Sequence, residues 1–202
     1  MTAPPFDRRT IDFYDTNARS YVSARPDEVT PELLIFLNNL AAGSHILELG
    51  CGSGCDAEEM ARRGFVVDAT DGTPAMAALA QERLGREVRV LRFEQLEAEE
   101  RYDAIVACAS LLHVPHAGLS EILARIWLAL KPGGWHFASY KTAGFEGWDA
   151  HDRYYNYLAR DEAERLYRES GAWAEMDFEE FDGLGYFSAS ARWLTVSARK
   201  NG

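Results

Sequence analysis

Cysteine is scarce: only Cys51, Cys55 and Cys108 occur in 202 residues. An odd count, with no export signal, argues against a disulfide framework. Cys51 and Cys55 have three residues between them, yet no second Cys or His pair stands near, so they read as small turn residues and no metal site is expected. Positive charge is also short, with 21 Lys and Arg against 32 Asp and Glu and a formal net charge of −11. Affinity for a phosphate backbone rests on Lys and Arg, so a nucleic-acid partner is not expected. No apolar run reaches the about 18 residues of a membrane span. The opening MTAPPFDRRT lacks the apolar core of a secretory signal, so a cytoplasmic location and no membrane partner are expected. What remains, 47% hydrophobic and 26% charged, is the composition of an ordinary soluble domain, and the length suggests one domain over 1–202.

The informative stretch is ILELGCGSG at 46–54. Ile46, Leu47 and Leu49 have the character of a short core strand, and Gly50, Gly52 and Gly54 bring bare backbone close to a ligand. Asp56 to Arg63 then reads as a helix whose first N–H groups face that ligand, with Gly64 as its stop. A dinucleotide-binding turn places a third glycine three residues after the second, where this chain has Cys55. The spacing is G-x-G-x-G, with Glu48 two residues ahead.

That motif resembles the first motif of the class I S-adenosylmethionine-dependent methyltransferases. Further words carry the resemblance. YDAIVACASLLHVP at 102–115 is similar to the fourth motif and following loop of small-molecule members, in particular a tellurite-resistance-like subset that shares ACASLLHVP; LKPGG at 130–134 is another family word. The Asp/Asn-Pro-Pro-Tyr/Phe tetrapeptide of DNA-adenine and glutamine methyltransferases is absent, which argues against base or protein amide methylation. The resemblance covers roughly 11–199 and implies a doubly wound α/β fold: a seven-stranded, mostly parallel sheet with an antiparallel last strand, and an N-terminal helical cap and lid over 1–40.

The remaining elements follow in order. Residues 10–25 carry Phe13, Tyr14, Ala18, Tyr21 and Val22 at helical spacing. Pro26 breaks that helix, and Thr30-Pro31-Glu32 starts the next, with Leu33, Leu34, Phe36, Leu37 and Leu40 on its face. A second strand at 65–70 leads through Asp71-Gly72-Thr73-Pro74 into a helix over 75–84, and a third strand is expected over 87–93. A helix over 119–130, a strand over 135–140 and a loop over 141–152 come next. A short strand or turn at 153–157, a helix over 161–170 and strands over 175–181 and 192–199 complete the chain, with 183–185 as the final turn.

In an open α/β sheet the ligand lies beyond the carboxyl ends of the strands. Asp71, 21 residues after Gly50, is placed to accept from both ribose hydroxyls. Met76, Phe93 and Glu94 are the adenine-side candidates. The resemblance implies a cofactor set of Tyr14, Tyr21, Glu48, Gly50, Cys51, Gly52, Ser53, Asp71, Gly72, Met76, Phe93, Glu94, Cys108, Ala109 and Ser110, with S-adenosylmethionine as cofactor. His113 is the candidate general base, with packing against cofactor or core as the alternative. Tyr140, Lys141, Arg153 and Tyr154 are substrate-side candidates, and the aromatics Phe145 and Trp148 suggest substrate contacts or a lid. The expected partner is a small-molecule methyl acceptor met by a monomer or homodimer. The rivals are a binding protein that keeps the pocket without turnover and a nicotinamide oxidoreductase, the latter opposed by the missing third glycine and the terminal hairpin.

Overall fold

The computed structural model describes residues 6–24, 28–185 and 190–202. Seven strands form one sheet in the order β3-β2-β1-β4-β5-β9-β8, where β1 is His45–Leu49, β2 Val66–Asp71, β3 Arg89–Val90, β4 Tyr102–Ala107, β5 Leu130–Lys141, β8 Trp173–Leu184 and β9 Ser190–Lys200. β1 to β5 run parallel, and β9 runs antiparallel to both β5 and β8. The expected sheet and its reversed final strand are therefore present. In a separate two-stranded ladder, β7 (Tyr154–Tyr155) falls in the segment read as a short strand or turn, while its partner β6 (Gly147–Trp148) lies in the segment read as loop.

The helices are α1 (Arg8–Ser23), α2 (Pro31–Leu37), α3 (Cys55–Arg62), α4 (Pro74–Leu84), α5 (His116–Ala129) and α6 (Arg160–Ser170). The expected end of the first helix at Arg25 and the break at Pro26 lie outside the described residues. Two apolar clusters cover the two faces of the sheet, as a parallel sheet requires. On one side Leu47, Ile105, Tyr140 and Leu194 pack with α5 and α6; on the other Ile46, Ala104, Val106 and Phe137 pack with Leu33, Phe36 and Met60 of α2 and α3. Alternation along β1 and β4 distributes neighbouring residues between these clusters.

The third strand is far shorter than its alternating pattern suggests. Only Arg89 and Val90 pair with β2, and Phe93–Gln95 instead forms a 3-10 turn closed by Arg92 N–H donating to Gln95 Oε1 at 2.9 Å. This is an edge strand with no neighbour on its far side, so the turn competes successfully with further pairing. α5 starts three residues earlier than expected, directly after Pro115, and β8 continues to Leu184, paired with Ser190, where a turn was expected.

His136 on β5 is fully buried, stacked on Tyr167 at 5.8 Å, with Nδ1 donating to the Ile105 carbonyl at 2.9 Å. Burial pushes its pKa down to about 4. The unfolded chain therefore binds one more proton than the native state between about pH 6.5 and 4, and this site's stabilising contribution is lost as pH falls through that window. Urea unfolding at pH 7 and pH 4.5 should show wild type losing about 2–3 kcal/mol more than His136→Phe; equal losses would remove His136 from the acid response.

Candidate functional site

Beyond the carboxyl ends of β1, β2, β4 and β5 lies a cavity of about 530 Å³. Its floor is the glycine turn. Gly50 has φ +75°, and a Cβ built there would lie 2.5 Å from the Ser110 Cβ, so only glycine lets the β1 exit pass this close to the β4 exit. Ser110 Oγ donates to the Leu49 carbonyl at 2.7 Å, tying the two exits together. Gly50 and Cys51 N–H both donate to the Thr70 carbonyl, at 2.9 and 2.8 Å. Gly52, also at positive φ, has open space where a side chain would project.

Asp71 closes β2 and is aimed at this turn. One oxygen accepts from Gly52 N–H at 3.0 Å, while the other accepts from the Thr73 N–H and hydroxyl at 3.0 and 3.1 Å. Burial raises its pKa and these hydrogen bonds pull it back, with the rise prevailing. The oxygen facing Thr73 thus spends both lone pairs there, whereas the oxygen facing Gly52 is turned toward the glycine turn. Glu48 is also buried, its Oε2 has no hydrogen-bond partner among the described residues, and burial followed by the neighbouring Asp56 and Asp71 pushes its pKa well up. An orphaned carboxylate oxygen beside a cavity is a costly feature that a ligand cation would relieve. Met76 and Phe93 add apolar wall, and Glu94 is paired with Arg92 at 2.5 Å.

α1 roofs the cavity, where Tyr14 and Tyr21 stand edge to face with centroids 5.0 Å apart. The helix is held on both flanks. Asp15 accepts from the Ala75 N–H at the start of α4, and Thr10 Oγ1 accepts from the Tyr154 N–H of β7, at 3.0 and 2.8 Å. Asp7, the α1 N-cap, also accepts from the Trp148 indole at 3.1 Å.

His113 ends the 3-10 turn Leu111–His113 that follows β4. Its Nδ1 meets the Tyr154 carbonyl, which can only accept, so Nδ1 carries the proton and Nε2 accepts from the Tyr14 hydroxyl at 2.9 Å. Burial, then Arg153 and Lys141, pushes its pKa down to about 3. The imidazole is neutral at physiological pH, its free lone pair is already taken, and burial raises the Tyr14 pKa well above its ordinary value. This environment opposes general-base work.

Of the residues read from the sequence, the structure gathers the whole cofactor set with His113, Lys141 and Arg153 around one cavity. Two substrate-side candidates lie elsewhere. Tyr140 is completely buried, with its hydroxyl 3.1 Å from that of Tyr167, because alternation on β5 turns it away from Lys141 into the core. Tyr154 sends its hydroxyl to Glu146, and its ring packs against Trp148. Sequence reading missed Tyr155 and Trp193, which line the cavity, and Asn156, whose side-chain amide donates to the Leu111 and Val114 carbonyls and thereby holds the His113 turn. Two aromatics directly following Arg153 were the available signal for Tyr155; nothing local marked Asn156. Among the described residues no group of three or more His, Cys, Asp or Glu is arranged for a metal, the three cysteines form no disulfide, and no helix is long and apolar enough to cross a membrane.

The sheet order, reversed β9 and cavity-facing glycine turn define the class I methyltransferase fold. More particularly, residues 46–134, which hold β1, the glycine turn, Asp71 and the His113 turn, match the family model described as "Methyltransferase domain". A crystal structure of an S-adenosylmethionine-dependent methyltransferase from Methanosarcina mazei superposes with a TM-score of 0.76 at 20% identity, covering 86% of this chain and 99% of that one. The 1,6-didemethyltoxoflavin-N1-methyltransferase of Burkholderia thailandensis, with 1,6-didemethyltoxoflavin and S-adenosylhomocysteine bound, gives 0.74 at 22% identity over 94% of this chain and 84% of that one. A ubiquinone biosynthesis O-methyltransferase of Xanthomonas oryzae pv. oryzae (strain PXO99A) is 35% identical over 127 residues, which is 59% of this chain and 46% of that protein. The chain thus spans about half the length of that curated relative.

Gly50→Ala should collapse the site. A left-handed backbone and a 2.5 Å clash together cost about 2 kcal/mol or more, visible as a lowered urea midpoint. Gly43→Ala, equally left-handed at φ +76° but with open space around it, supplies the strain-only control; equal losses in the two variants would dismiss the Ser110 contact as a constraint.

Proposed function

We propose that the protein is an S-adenosylmethionine-dependent methyltransferase acting on a small-molecule acceptor. The observation that carries this reading is the orphaned Glu48 carboxylate oxygen set beside an open glycine turn and the Asp71 carboxylate. Those groups fit a ribonucleoside that also bears a cation: the Asp71 oxygen facing Gly52 accepts from a ribose hydroxyl, Glu48 pairs with the ammonium of the methionine portion, and Met76 and Phe93 form the apolar wall for adenine. The cofactor would supply a methyl group already activated on a sulfonium. What this chain provides is orientation and exclusion of water, which in-line transfer needs more than a covalent catalyst.

Within this reading α1 is the lid, fastened over the cavity by its contacts with α4 and β7, and the protein is one domain working in the cytoplasm as a monomer or homodimer. The loop at 107–115 aligns it with the small-molecule enzymes of the tellurite-resistance-like subset. His113 acts as a positioning residue: as a neutral acceptor it fixes the Tyr14 hydroxyl of the lid against the β4 exit. The O-methyltransferase relative supports an oxygen acceptor.

Calorimetry with S-adenosylmethionine, S-adenosylhomocysteine and NADH tests the cofactor. The first two should bind at micromolar affinity and NADH should not, and Asp71→Ala should lose at least about tenfold, or about 1.4 kcal/mol. Affinity should also rise with pH, because Glu48 must ionise to meet the ligand cation and its pKa is raised in the free protein. Glu48→Gln should bind more weakly and show a flatter pH profile. NADH binding without the other two would return the turn to the dinucleotide class.

A further inference from the structure

The cavity carries opposite charge at its two ends. Glu48, Asp56 and Asp71 line the glycine-turn end, whereas Lys141 and Arg153 line the other. The carboxylates near that second end are already engaged: Asp149 takes Arg153 through two guanidinium nitrogens at 3.0 and 2.6 Å, Asp182 pairs with Arg192 at 3.2 Å, and Asp7 caps α1. Lys141 differs. It ends β5 opposite Trp193 of β9, so the two side chains share one face, and its ammonium lies 4.4 Å from the Tyr155 ring centroid and 5.8 Å from that of Trp193. Among the described residues that ammonium meets aromatic faces and no carboxylate. Its pKa is lowered, first by burial and then by Arg153. Asp149 attracts it from a distance but is itself clasped by Arg153; a half-buried cation with no carboxylate in contact among the described residues, walled by two aromatic rings and opening on a cavity, is the arrangement expected where the contacting anion comes from a ligand.

Building on the methyl-donor reading above, we infer that this end of the cavity is an anion-selective acceptor subsite, in which the Lys141 ammonium pairs with an ionised oxygen of a small aromatic acceptor. The aromatic walls suit a planar molecule, and the cation stabilises a carboxylate or phenolate over its neutral acid. This also answers the chemistry that His113 leaves open. An acceptor held as its anion has already given its proton to solvent and needs no base in the site. The segregation of charge further keeps the cationic donor at the acidic end and the anionic acceptor at the basic end, so the two are unlike enough not to exchange places.

The test is calorimetric binding of four probes to the protein saturated with S-adenosylhomocysteine: benzoate, 4-nitrophenolate, methyl benzoate and benzylamine. At least one of the two anions should bind about tenfold or more tightly than both the ester and the amine. Which anion binds tells whether the oxygen is of the carboxylate or the phenolate kind. Lys141→Met should weaken anion binding about tenfold while S-adenosylhomocysteine affinity stays within about twofold, and Lys141→Arg should restore most of the loss. Three results would overturn the inference: ester or amine binding as tightly as the anions, no probe binding up to about 10 mM, or Lys141→Met leaving anion affinity unchanged. If S-adenosylhomocysteine itself fails to bind, the donor reading falls separately. The same four probes on the free protein then decide the subsite, with Lys141-dependent anion preference supporting it and its absence rejecting it.

Discussion

The approach of the β1 exit to the β4 exit sets the depth of everything built above it. Two parallel strands that end side by side normally diverge into their loops, yet here Gly50 lies against Ser110 with no room for a single carbon between them. The Ser110 hydroxyl and the Leu49 carbonyl close the seam. Because Gly50 and Cys51 both spend their N–H groups on the Thr70 carbonyl, the turn is anchored to β2 as well. Three strand ends are thus locked into one rigid floor. Asp71 and Glu48 owe their positions to that floor and not to any mutual attraction, since like charges held this close repel.

That repulsion is informative about energetics. Burial raises the pKa values of Glu48 and Asp71, and for Glu48 the neighbouring Asp56 and Asp71 add to the rise, so the ligand-free protein stores unfavourable electrostatics at the glycine turn. A neutral cavity of the same shape would be more stable and would bind a cation less well. The far end shows the mirror arrangement, with cations gathered by Tyr155, Trp193 and Phe13. In a chain of net charge −11 the survival of a basic pole inside the cavity is a local feature that whole-chain charge hides.

Legibility in the sequence followed the range of the interaction involved. Strands buried on both faces, such as β1 and β4, announce themselves as short apolar runs, and the glycine spacing at 50–54 and the acidic residue at the end of β2 are local facts. The sheet and the glycine-turn half of the cavity could be read for that reason. The edge strand β3 could not be measured, because its length depends on a partner that only the fold can deny it. Tyr140 and Lys141 were indistinguishable as neighbours, yet strand alternation sends one to Tyr167 and the other to the cavity. The imidazole of His113 looked like a base because its motif says nothing of Tyr14, 99 residues away, or of the cations beyond it. Such residues acquire their chemistry from long-range packing.

The roof helix α1 is joined to α4 on one flank and to the β6/β7 ladder on the other by separate hydrogen bonds to Asp15, Thr10 and Asp7. The basic end of the cavity is bounded by that same ladder through Tyr155 and Arg153, while the glycine-turn end is bounded by α4 through Met76. Lifting the helix from one flank need not lift it from the other. The two flanks of the roof are therefore fastened by different bonds, and uncovering either end of the cavity breaks a different set of them.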